Sequence, residues 1–331
     1  YFCFWVNVIS RVSTISRYTY VIIFCHGANI RNNLKKTKCL LLGINQKLLY
    51  ICSMNKENLK DLKELLSVPT KTWEEQDLID HIIKYISNLN VDYRQDEIGN
   101  LYITKGKSKY YPCFVAHLDS VHEKVEMVVK EELLPNAQEE YKLALKAYEK
   151  YTDEPTGIGG DDKAGVFICL QLLKSIDSCK LFLPVAEETG CNGSKHADPE
   201  FFKNVGYAIQ FDSTENNTLS KTLMGVQLFE ENSNFINSVE NLLLENGYTN
   251  WLHHPYTDTM MLKKKFDFAC LNLAAGYYNY HTREEYVVVE DVEKAINVTK
   301  KIIKTLGHQK YHFKLPKQKP QNNLWEDYFL S

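Results

Sequence analysis

The sequence predicts an α/β protein: a mainly parallel sheet with helices on both faces. Three observations predict it. Short apolar runs that read as buried strands alternate along the chain with segments of helical periodicity. No internal repeat is visible, which argues against solenoids and propellers. The chain has 331 residues, 44% hydrophobic and 24% charged, as in a globular protein with one substantial core.

The first segment, residues 1–53, differs from the rest. It holds seven of the 39 basic residues and none of the 42 acidic ones, so 54–331 carries a net charge of -10. Four of the nine cysteines also lie there. The chain begins with Tyr1, and Met54 opens a stretch that reads like a natural start. Residues 1–53 are therefore expected to be a non-native or disordered leader, with a transit peptide as the functional alternative, since such peptides are Arg-rich and acid-poor. The apolar run 18–25 is too short to span a bilayer.

From Met54 the periodicity is clear. Residues 55–66 predict a helix. Thr72-Trp73-Glu74-Glu75 fits a capping box, and Leu78, Ile79, Ile82, Ile83, Ile86 and Leu89 continue at helical spacing. Strands are predicted at 99–104, 111–116, 180–186, 207–211 and 266–274. The polar, Ala-, Leu- and Glu-rich stretch 136–151 predicts an exposed helix within an insertion at about 124–156. Residues 162–176 are apolar nearly all round and predict a buried helix, and further helices are expected at 229–246 and 290–306. The Lys-, Gln- and Pro-rich tail 307–331 carries no predicted element, though its aromatic run 325–330 is a candidate for docking back.

Polar, metal-competent residues sit where the predicted strands end. One strand runs into His117-Leu118-Asp119, another into Glu187-Glu188-Thr189-Gly190 and a third into Asp212-Ser213. A fourth leads, after a few residues, to His281-Thr282, and Gly157-Ile158-Gly159-Gly160-Asp161-Asp162-Lys163 opens the buried helix. Open α/β sheets bind ligands beyond the carboxyl ends of their strands, so these five places should converge on one crevice. Two imidazoles and several carboxylates suit zinc, and also manganese or cobalt. One carboxylate of the Glu187-Glu188 pair can bind metal while the other stays free to take a proton. Each piece alone has an ordinary reading as a hydrogen-bonded pair, a solvated charge pair or a capped helix start. Their joint occurrence in this order makes the case. The glycines do not form a nucleotide P-loop, because GK[ST] is absent.

The ordered set HLD, GGDDKAG, EETG, FDS and YHTREE resembles that of the co-catalytic zinc exopeptidases, and GIGGDDKAG and HTREEY look most like peptidase T and its relatives. The resemblance covers roughly residues 56–306. It implies that His117 and Asp212 bind one metal ion, that Glu188 and His281 bind a second, and that Asp161 bridges them. It further implies Asp119 as the orienter of the His117 ring and Glu187 as the general base that deprotonates the bridging water. The sequence departs from peptidase T between Asp212 and His281, where a helix, a connecting segment and a strand leave no room for a lid domain. A single catalytic domain over 54–306 is expected, closer to the lidless aminopeptidases. Tyr256 becomes the candidate for oxyanion stabilisation, with His253 and His254 as competitors. The insertion would rim the crevice.

The expected activity is removal of N-terminal residues from small peptides. A carboxypeptidase or an N-acyl-amino-acid deacylase with the same centre is the alternative, and Arg283 could then hold a substrate carboxylate. A non-catalytic binding relative and a two-metal phosphoesterase fit less well. The net charge of -3 gives no electrostatic case for nucleic acid. No stretch is long and apolar enough for a bilayer, and scattered cysteines without CxxC pairs point to a reducing, cytoplasmic setting. Without a lid the usual dimerisation surface is missing, so a monomer is favoured.

Overall fold

A computed structural model describes residues 54–135, 141–254 and 257–316, together with the backbone of 14–15 and 18–19. The elements begin with β1 (Thr14–Ile15), β2 (Tyr18–Thr19), α1 (Lys56–Leu66), α2 (Gln76–Ile86), β3 (Val91–Gln95), β4 (Leu101–Lys105) and β5 (Tyr111–Val115). They continue with β6 (Met127–Pro135), β7 (Tyr141–Glu149), β8 (Pro155–Thr156), α3 (Gly160–Ser175), β9 (Cys179–Leu183), α4 (Asn192–Lys195), α5 (Pro199–Phe202) and β10 (Val205–Ser213). The remainder are β11 (Thr218–Leu223), β12 (Val226–Gln227), α6 (Asn234–Glu245), β13 (Asn250–His254), α7 (Asp258–Lys265), β14 (Ala269–Ala274), β15 (Tyr277–Tyr278), β16 (Tyr286–Val288) and α8 (Val289–Leu306).

The main sheet has nine strands in the order β12-β11-β14-β10-β5-β9-β4-β3, with β13 also paired to β11. Its centre, β14-β10-β5-β9, is parallel, as expected. Its flanks are antiparallel: β4 against β9, β3 against β4, and β11 against β14. Every residue of β5, β9 and β10 is buried, which explains their continuous apolar reading. Helix α3, buried from Gly160 to Leu173, packs on β9, β5 and β10 and against α1 and α8. Helix α7 packs on β14 and β10 and against α4. Between β10 and His281 the described chain forms β11 to β14 of this sheet, α6, α7 and the short β15, so the expected lidless single domain is observed.

Two local expectations fail. The described part of the predicted helix 136–151, from Tyr141 on, is not helical. Residues 141–149 form β7, paired antiparallel to β6 on one edge and to β16 on the other, in a second, five-stranded sheet. Nor is the insertion simply exposed: Leu143, Leu145 and Ala147, alternating along β7, are buried in the core together with Val129 of β6. Helix propensities differ by less than about 1 kcal/mol per residue among ordinary residues. Burying one Leu side chain contributes about 1.5–3 kcal/mol, so packing decides.

The capping box also fails. Helix α2 starts at Gln76 without a side-chain cap. The Glu75 carboxylate instead accepts from the Trp73 N–H at 2.9 Å and from the Ala186 N–H at 3.1 Å. The Thr72 hydroxyl donates to Asp119 Oδ2 at 2.9 Å. Both side chains serve loops of the candidate site. The expected leader 1–53 falls almost wholly outside the described residues, and the aromatic run 325–330 entirely so. Among the described residues no helix is long and apolar enough to cross a membrane.

Candidate metal centre

Three neighbouring parallel strands, β9, β5 and β10, aim their carboxyl ends at one place, and each delivers a predicted residue there. His117 and Asp119 follow β5, Glu187 and Glu188 follow β9, and Asp212 ends β10. Asp161 lies in the first turn of α3, where its φ and ψ of -79° and 101° are not yet helical, and the Asp161–Asp162 peptide is cis. His281 follows β15 with φ 61°, and Ala186, just before Glu187, has φ 52°. Such left-handed backbone at a non-glycine residue costs about 1–3 kcal/mol and concentrates at functional sites.

The side chains meet. His117 Nε2 is 3.1 Å from Asp161 Oδ1, and His281 Nε2 is 3.0 Å from Glu188 Oε1 and 3.5 Å from Asp161 Oδ2. Asp161 thus stands between the two imidazoles. One donor atom each from His117, Asp161 and Glu188 lie within 4.8 Å of one another. Asp119, fully buried, accepts from the N–H of Glu187 at 2.8 Å and of Glu188 at 3.1 Å, while its Oδ1 is 3.3 Å from His117 Nδ1. It orients the ring and fixes the Glu-Glu turn together. Asp212 is buried, with Oδ2 accepting from Gln210 Nε2 at 3.1 Å and Oδ1 from the Tyr277 hydroxyl at 3.3 Å. Asn272 grips its backbone, accepting from the Asp212 N–H at 3.0 Å and donating to the Asp212 carbonyl at 2.8 Å. Asp212 joins the others through its charge environment rather than by direct contact.

The electrostatics are those of a buried acid cluster partly offset by imidazoles. Burial opposes the charge on His117, but Asp119, Asp161 and Glu187 outweigh it and hold the ring well above its ordinary pKa. His281, bonded to Asp161 and Glu188, is raised to about 10. Burial alone would lift Asp161 and Asp119, yet their imidazole partners hold both below the usual carboxylate range. Asp212 has only neutral donors, and burial with the charges of Asp161 and Glu187 pushes its carboxyl well up. Glu187 is buried and pushed up to about 8, chiefly by burial. A buried carboxylate bonded only to neutral groups and surrounded by acids is relieved by a cation. His117, Asp161 and Glu188 offer an imidazole nitrogen and carboxylate oxygens within reach of one another, donors that zinc, manganese or cobalt accepts. The residues fit a divalent metal centre.

Several partners were not foreseen from the sequence. Tyr277, Asn272 and Gln210 support Asp212, and Thr72 supports Asp119. Glu285 is buried and accepts from the Asp161 N–H at 2.9 Å. Only its place four residues after His281 could have flagged it. Arg283, the candidate for a substrate carboxylate, donates to the Pro155 carbonyl at 2.9 Å and to Glu149 Oε1 at 2.7 Å, so the β7–β8 region engages it. Tyr256 and the side chains of His253 and His254 lie outside the described residues.

The arrangement of strands and helices is a fold shared with aminopeptidases of solved structure. The chain is similar to aminopeptidase PepT from Bacillus cereus ATCC 10987, with TM-score 0.60 and 16% identity over 76% of this chain and 99% of that one. It is similar to a tripeptidase from Staphylococcus aureus subsp. aureus Mu50, with TM-score 0.59 and 13% identity over 76% and 98% of the two chains. It also resembles the Pyrococcus horikoshii TET1 peptidase, which can assemble into a tetrahedron or a large octahedral shell, with TM-score 0.52 and 16% identity over 78% and 100%. No family model and no curated protein matches the sequence. The likeness is one of fold.

Proposed function

We propose that the protein is a metal-dependent exopeptidase that removes N-terminal residues from small peptides. The observation that carries the reading is the meeting of His117, Asp161, Glu188 and His281 beyond the central strands, with a buried carboxyl, Glu187, beside them in sequence and outside their direct contacts. His117 and Asp212 would hold one divalent ion, Glu188 and His281 another, and Asp161 would be shared. Zinc is the expected metal, with manganese or cobalt as alternatives. Such ions supply Lewis acidity to a scissile carbonyl and acidify the attacking water.

The chain's own residues do the rest. Glu187 takes the water's proton on its carboxylate and returns it to the leaving amine, from a buried position directly before Glu188. Asp119 keeps the Nδ1 face of His117 occupied and leaves Nε2 toward Asp161. Tyr256 is the proposed oxyanion donor. From two residues further on, the chain is anchored: Gln210 accepts from the Thr259 N–H at 2.8 Å and donates to both Asp258 and Asp212, tying the start of α7 to the Asp212 strand.

An acid-rich site favours a free substrate amine over a carboxylate, and the engagement of Arg283 by Glu149 and Pro155 weakens the carboxypeptidase and deacylase readings. Five described cysteines, Cys113, Cys169, Cys179, Cys191 and Cys270, are free and buried, which supports a cytoplasmic setting. The fold does not itself favour the monomer expected from the sequence, since the TET1 peptidase, similar in fold, can assemble into a tetrahedron or a large octahedral shell. The test combines metal content per chain with hydrolysis of tripeptides carrying free, acetylated or amidated ends. We expect close to two ions per chain and cleavage that needs a free amine but tolerates an amidated carboxyl end. Cleavage of acetylated peptides at an equal rate would overturn the aminopeptidase reading.

A further inference from the structure

The Glu285 carboxylate is completely buried. Its Oε1 accepts from the Asp161 N–H at 2.9 Å, and its Oε2 accepts from the Gly159 N–H at 2.8 Å. The same Oε2 lies 2.8 Å from His122 Nε2. Both carboxylate oxygens already accept a backbone N–H, and the assignment matching this contact has His122 donating through Nε2. The loop residues are shaped to these two side chains. A Cβ on Gly157 would lie 2.0 Å from His122 Cε1, and a Cβ on Gly160 would lie 2.6 Å from Val287 Cγ2 and 3.3 Å from Glu285 Oε1. Gly157 therefore leaves space for His122, and Gly160 for Val287 and Tyr277 as well as Glu285.

The pair closes a ring of contacts. His122 is five residues beyond His117, and Glu285 is four beyond His281. Asp161 touches His117 and His281 with its side chain and Glu285 with its backbone N–H. The pair adds hydrogen bonds to what else joins the His281 block to the Asp161 loop: the partly exposed His281 imidazole, the Arg283 bond to the Pro155 carbonyl, and the packing of α3 on β15 and β16. The backbone N–H of the shared acid is held by a carboxylate that His122 in turn contacts.

We propose that His122 and Glu285 form a positioning pair that sets Asp161 and His281 at the separation two metal ions require. The inference rests on reading His117, Asp161, Glu188 and His281 as metal ligands. Neither member of the pair is a ligand or touches substrate. Glu285→Gln turns one acceptor into a donor facing either the Asp161 N–H or the shared Gly159 and His122 donors. His122→Ala removes one donor, and His122→Gln can restore it through its amide.

The experiment measures zinc affinity of the full chain by competition with a chromophoric chelator, together with thermal midpoints of the zinc-free proteins and kcat and KM on a tripeptide. Outer-sphere partners of metal ligands are worth about 10- to 100-fold in metal affinity. Glu285→Gln and His122→Ala are expected to weaken at least one zinc site by about tenfold or more. Peptide KM should stay near the parent's while kcat falls, and His122→Gln should recover most of the zinc affinity. If the parent binds no zinc, the ligand reading itself fails. If the parent binds zinc and both His122→Ala and a folded Glu285→Gln bind it equally well, the positioning role is refuted. It is also refuted if His122→Ala and His122→Gln lose affinity alike, because then packing and not the donated hydrogen bond matters.

Discussion

Replacing Asp119 by Asn changes one atom in a fully buried side chain and tests how the site is held. Oδ1 of Asp119 faces the Glu187 N–H at 2.8 Å and His117 Nδ1 at 3.3 Å; Oδ2 faces the Glu188 N–H at 3.1 Å and the Thr72 hydroxyl at 2.9 Å. The new amide has two orientations. With its NH2 at the Oδ1 position, it opposes the Glu187 N–H and donates to His117 Nδ1. That sets an N–H against the ring nitrogen that otherwise faces the Asp119 carboxylate and, at 3.2 Å, the Asp119 backbone carbonyl. With its NH2 at the Oδ2 position, the Thr72 hydroxyl can turn to accept, and only the Glu188 N–H loses its acceptor. The second orientation is cheaper. It leaves one N–H of the Glu187-Glu188 turn unsatisfied, at about 1–3 kcal/mol, and about 1.4 kcal/mol corresponds to tenfold. The variant also loses the charge that supports His117. Metal affinity should therefore fall by about tenfold to a hundredfold, while the far-ultraviolet circular dichroism stays that of the parent. Zinc titration against a chelator measures it. Affinity within about twofold of the parent in a folded variant would refute the argument that Asp119 organises both the ring and the turn.

Other consequences follow from single contacts. Glu187→Gln should keep its metal and lose about 10²–10⁴-fold in kcat, the usual worth of a general base; an unchanged rate in a metal-replete variant would remove Glu187 from the chemistry. Leu145→Ala should lower the unfolding free energy by about 2–5 kcal/mol in a urea titration, because Leu145 is fully buried in β7; an exposed helix there would lose almost nothing. Asn272→Ala uncovers the buried N–H and carbonyl of Asp212, so it should destabilise by about 1–3 kcal/mol per group and weaken metal binding as well. A drop in stability with unchanged metal content would separate Asp212 from the metals. Arg283→Ala should leave the preference for a free amine intact; a gain in cleavage of acetylated substrates would contradict the placement of Arg283 against Glu149.

The legibility of the site follows from the range of the forces involved. His117, Glu187, Glu188 and Asp212 stand out in the sequence because each ends an apolar run, and parallel strands present their carboxyl ends together. The buried helix α3 was legible for a similar reason: its residues are apolar on every side. The failures are of another kind. The stretch that became β7 carries helix formers, yet Leu143, Leu145 and Ala147 also alternate, and local sequence cannot choose between the two periods. Partners supplied by β6 and β16 make the choice. Thr72 and Glu75 carry a capping pattern that matches their spacing, but their donors and acceptors lie on the Asp119 and Glu187 loops.

By itself, then, the amino-acid order determined an α/β chain with a parallel centre, and it determined which acids and imidazoles stand at the strand ends, because periodicity and adjacency are local properties. Only the tertiary structure decided which of those groups touch. His122 meets Glu285, Thr72 meets Asp119 and Tyr277 meets Asp212 because the sheet brings together segments far apart in the chain, and hydrogen bonds a few ångströms long leave no periodic trace in the sequences they connect.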